Sequence, residues 1–77
     1  MTQTITPAQF MRTNHLEFDT DPDTENGLVA KLADVNSLKS SAATARAAGL
    51  RVSECVVLDN DFAPDDQGYF LYVAPLN

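Results

Sequence analysis

One helix-forming stretch, closed at its end and succeeded at once by a valine-rich run, constrains this chain most. Ser37 to Ala48 holds five alanines together with Leu38, Lys39 and Arg46, all good helix formers. Gly49 comes next, suited to the left-handed residue that closes a helix. Asp34 before the stretch and Arg46 near its end match the helix dipole. Ala42 and Ala45 make a small, smooth face that lets a helix lie close on a sheet. The spacing predicts a helix over about 37–48.

The remainder of the C-terminal half has the period of strands. In Leu50 to Leu58, Leu50, Val52, Val56 and Leu58 point one way, and Arg51, Ser53, Cys55 and Val57 the other. Tyr69 to Val73 is aromatic and β-branched and ends before Pro75. Between them, Asn60 to Gly68 reads as an acidic loop with Pro64 inside it.

The N-terminal half is less regular. Thr6-Pro7-Ala8-Gln9 has a capping residue, a proline at the first helical position and a glutamine three residues after the cap. It starts either a short helix over about 7–13, with Phe10 and Met11 facing inward, or a loop laid over the core. Leu16-Glu17-Phe18 alternates as a short strand does. Asp19 to Gly27 reads as an exposed loop, with Pro22, Asn26-Gly27 and dense aspartate.

Leu28 to Val35 fits two patterns. As a strand it ends near Val35, and a helix then starts at Ser37. As a helix it joins the later stretch in one stripe of Leu28, Leu32, Val35, Leu38, Ala42, Ala45 and Gly49. Asn36-Ser37 interrupts that stripe, since both serve better as caps. The strand reading gives an α+β fold: a single domain over 1–77, β-β-α-β-β, with two hairpins joined by the main helix. The sheet is rich in antiparallel pairs, with the helix on one face.

At 77 residues the chain buries only about 60–65% of its unfolded surface. A large enclosed pocket and an intact core do not both fit. A binding module or a subunit is expected rather than an enzyme. The catalytic patterns agree. His15 is the only histidine and Cys55 the only cysteine, and no third orienting group is indicated. Cys55 lies mid-strand, where a thiol packs as a small hydrophobe. There is no phosphate-binding glycine loop and no CxxC, so no cofactor or zinc is expected. Asp19, Asp21, Asp23 and Glu25 match the first ligand positions of a calcium loop. The match then breaks at Thr24 and Ala30, where Gly and Glu belong.

Charge carries the functional expectation. The formal charge is −6, which argues against direct contact with nucleic acid or an anionic membrane. The N-terminal MTQTITPAQF lacks the charge and apolar run of a leader, so a cytoplasmic, reducing home is expected. The acids are segregated. Residues 17–25 hold five carboxylates and no base, 59–66 hold four and no base, and 35–53 hold three bases and no acid. The candidate contacts for a larger basic protein or nucleoprotein complex are Asp19, Asp21, Asp23, Glu25, Asp59, Asp61, Asp65 and Asp66. Tyr69 and Tyr72 join them, because the last strand is apolar on both faces and one helix covers only one. Phe10, Met11 and Ile5 cover the second face, or a partner does. In size and charge, and in no motif, the chain resembles phage- and plasmid-encoded inhibitors of host defence, anti-CRISPR proteins among them. That resemblance implies an acidic surface that mimics nucleic acid. The alternative is a homodimeric structural or assembly subunit that buries the last strand, its acidic loops serving solubility only.

Overall fold

Both helices begin and end by side-chain and backbone chemistry that is local in the chain. The computed structural model describes residues 5–58 and 67–76. Helix α1 spans Pro7–Thr13. The Thr6 hydroxyl accepts from the Gln9 N–H at 3.1 Å, and Gln9 Oε1 accepts from the Thr6 N–H at 2.9 Å, which completes the expected capping box. At its C-terminus His15 takes a left-handed φ of 57°. Its N–H donates to the Arg12 carbonyl at 3.2 Å, and the Leu16 N–H donates to the Met11 carbonyl at 2.9 Å. This is the Schellman ending, here with histidine in the place glycine usually takes.

Helix α2 spans Val35–Ala47 and ends the same way. Gly49 has φ 85°, and the Leu50 N–H donates to the Ala45 carbonyl at 3.1 Å. The start at Ser37 is corrected to Val35. The cap is Asp34, whose Oδ1 accepts from the Ser37 N–H at 2.7 Å. That bond holds the Asp34 carboxyl below its ordinary range. Asn36 and Ser37 therefore sit in the first turn rather than before it.

Four strands make one sheet: β1 (Phe18–Thr20), β2 (Leu28–Leu32), β3 (Arg51–Val57) and β4 (Gly68–Ala74), in the order β1-β2-β4-β3. Every neighbouring pair is antiparallel. The expected α+β fold with a β-β-α-β-β core is present, led by the short N-terminal helix. β4 inserts between the first hairpin and β3, so β2 and β3 run parallel at one remove. Leu28–Leu32 is a strand, and the single long helix from Leu28 is overturned. The five residues pair in register with Val73 through Tyr69, and Asp34 then caps a new helix. The strand stops at Leu32 rather than near Val35. β1 begins at Phe18, not Leu16, because the Leu16 N–H is used in closing α1.

Paired residues of an antiparallel sheet share a face. Phe18, Ala30, Leu71 and Glu54 form one row across the sheet, and Leu28, Val73 and Val52 another. These point to the helices. Phe10 and Met11 of α1 and Leu38, Ala42 and Ala45 of α2 join Ala30, Leu32, Leu50, Leu71 and Val73 in one buried cluster, with Ile5 packed against it. Burying Phe10 alone contributes about 2–3 kcal/mol. The idea that Phe10, Met11 and Ile5 cover the second face is therefore corrected. They cover the same face as α2, on its β2 side.

Candidate functional site

The other face of the sheet carries the side chains that alternate with the core. Asp19, Val29, Tyr72 and Ser53 form one row, and Lys31, Phe70 and Cys55 the next. No helix among the described residues packs there. Val29, Phe70, Tyr72, Cys55 and Val57 are half-buried. Lys31 extends along this face, its Nζ 6.0 Å from the centre of the Phe70 ring. It crosses Gly68, where an added Cβ would come within 2.8 Å of Lys31 Cε.

The loop from Asp21 to Gly27 flanks one end of this face. Asp21 Oδ1 accepts from the Asp23 N–H at 3.0 Å, and the Asp21 N–H donates to the Gly27 carbonyl at 3.0 Å. Asn26 takes a left-handed φ of 60°, which asparagine tolerates well. The result is a tight loop with Asp23 and Glu25 exposed. Asp21, at 7% exposure, is buried and acts as the loop's internal acceptor. Asp21, Asp23 and Glu25 line an open groove of about 440 Å³ together with Arg51, Ser53 and Tyr72 of the sheet. Burial first, then the Cys55 thiol and the Asp21 and Asp23 carboxylates, hold the Tyr72 hydroxyl above the usual phenol range.

The sequence-derived contacts are thus divided. Asp21, Asp23, Glu25 and Tyr72 come together at the groove. Asp19 belongs to β1 rather than to the loop, and it lies on the same face, paired with Val29. Tyr69 lies on the covered face and packs against the core cluster. Asp59, Asp61, Asp65 and Asp66 lie outside the described residues. The strand ends that flank them, Val57 and Gly68, pair at the opposite end of the sheet from Thr20 and Leu28. At about 3.4 Å per residue the two ends are roughly 17 Å apart.

Two residues of this site were missed by sequence reasoning. Alternation put Arg51 and Ser53 on one side of their strand, but nothing local said which acids that side would meet. His15 has a structural explanation as the residue that stops α1. Cys55 lies on the open face opposite Phe70. Among the described residues, no three His, Cys, Asp or Glu side chains are grouped to hold a metal ion. Among them also, no helix is long and apolar enough to cross a membrane. Comparison with protein-family models, curated proteins and solved structures gave no match.

Proposed function

We propose that this chain is a non-enzymatic protein-binding module of the cytoplasm whose acidic rim and open aromatic face engage a larger basic protein or nucleoprotein complex. One observation carries the reading: Asp23 and Glu25 line the same groove as Tyr72, beside a sheet face that no described helix covers. Carboxylates at the rim steer a basic partner and set its orientation. Tyr72 and Phe70 supply contact area, as aromatic residues do at interfaces. Asp21 serves by shaping the loop. A partner that normally holds nucleic acid fits this chemistry, because fixed carboxylates can stand in for phosphates. The reading is that of a phage- or plasmid-encoded inhibitor, an anti-CRISPR-like mimic of nucleic acid.

The test is capture from host lysate at low and high salt, with the native chain and with Asp19, Asp23 and Glu25 all changed to Lys. Recovery of one basic nucleic-acid-binding complex, lost with salt and with the charge reversal, supports the reading. Recovery that the reversal leaves unchanged overturns it. A second reading, a self-associating assembly subunit, is favoured by the apolar side chains left uncovered on β3 and β4. Its acidic loops then serve solubility only, and the chain recovers nothing but itself.

A further inference from the structure

We infer that the outer edge of β3 pairs antiparallel with β3 of a second copy, joining two sheets into one of eight strands. β3 pairs with β4 without a break from Arg51 to Val57, and among the described residues no strand lies on its other side. Among the described residues its outer side therefore presents a seven-residue row with unpaired backbone groups. The opposite edge, β1, has only three residues. Natural edges are usually blunted by proline, lysine, a bulge or an inward charge. β3 has no proline, lysine or bulge. Its one charge on the helix side, Glu54, is offset by Arg46 of α2 at 3.1 Å. Val56 and Leu58, 49% and 64% exposed, are two of the four large apolar side chains left exposed among the described residues, and both lie at this edge.

The edge is complementary to itself. A two-fold axis through Glu54 sets Val52 of one copy beside Val56 of the other, twice over, on the helix side. On the open side it sets Ser53 beside Cys55. The two Glu54 carboxylates meet at the centre, and each is already paired with its own Arg46, which offsets part of the repulsion between them. The edge brings no uncompensated carboxylate to the contact, which matters for a chain of charge −6. Such an axis stands perpendicular to the sheet, so both open faces stay on one side. The dimer then presents two acidic rims on one side, at opposite ends of the joined sheet, and a partner with two basic sites would be held by both. Self-pairing of β3 goes beyond the proposed function and stands apart from it.

Sedimentation of the full chain at about 100 μM tests this, a concentration suited to a small interface. The expected mass is twice the 8.4 kDa of one chain. Val56→Lys is expected to weaken the dimer at least about tenfold by putting a strongly hydrated ammonium into each Val52–Val56 contact, with an unchanged circular dichroism spectrum. Should that variant not fold, Ser53→Cys is the independent probe. Under mild oxidation its new thiol should link to Cys55 of the other copy, and the link should vanish when Cys55→Ser is added. A single-chain mass at that concentration overturns the inference, as does a dimer that shows neither the Val56→Lys loss nor the cross-link. Either result leaves capture of a basic partner as a separate question.

Discussion

Successive residues of β4 meet opposite environments. Leu71 and Val73 are 0% and 1% exposed beneath the two helices. Phe70 and Tyr72, each one residue away, face the side that no described helix covers and are only half-buried. The strand is apolar throughout, so composition does not separate the two sets. What separates them is where the helices lie. An apolar residue in a central strand thus reports burial on one side only. The surplus on the other side is the informative part.

The sharpest way to break this comparison is to truncate on each side. Leu71→Ala should cost about 2–5 kcal/mol in denaturant unfolding, enough to unfold much of so small a domain. Tyr72→Thr keeps strand propensity and should cost about 1 kcal/mol or less. Equal costs would mean that the open face is as covered as the helical one. Gly68→Ala tests the backbone at the start of the same strand. The glycine has φ 135° with Lys31 lying across it, and an alanine there should cost about 1–3 kcal/mol by the same assay.

The two helix ends extend the comparison. Gly49 takes its left-handed conformation freely, whereas His15 does so against its Cβ. His15→Gly should raise stability by about 1 kcal/mol, seen as a higher denaturation midpoint. A lower midpoint would show that the imidazole makes contacts that outweigh the strain. The smallest effect concerns Tyr72 itself. Its raised phenol keeps its proton longer in the folded than in the unfolded chain. The stability this contributes is intact below about pH 10 and is lost as pH rises through the folded value. In a Tyr69→Phe background, Asp23→Asn should move the Tyr72 titration to lower pH in an ultraviolet difference titration. No movement would place the Asp23 carboxylate out of range of the ring.

Much of the fold was legible because its signals are local. The capping box of Thr6 and Gln9, the stop at Gly49 and the alternation of β3 each involve residues within a few positions of one another. Boundaries slipped where two local signals competed. Asn36 and Ser37 are good caps, yet Asp34 took the place. Leu16 fits a strand, yet its N–H was used to close α1. The candidate site was legible only in part. The acids of the 21–25 loop and the aromatics of β4 were readable as types. That Asp23 and Glu25 meet Tyr72, and that Tyr69 turns away from them, depends on which strand β4 joins.

By itself the sequence determined the main helix, the strand character of the two C-terminal runs and the segregation of charge, and it favoured the α+β class, while pairing with β4 decided that Leu28–Leu32 is a strand. Those rest on propensity, capping and periodicity, which act over a few residues. The tertiary structure alone decided that β4 lies at the centre and that α1 shares a face with α2. It also decided that no described helix covers the other side of the sheet and that the 21–25 loop meets one end of that side. These depend on pairing and burial between segments far apart in the chain, where equally apolar faces compete and only packing of the whole chooses between them.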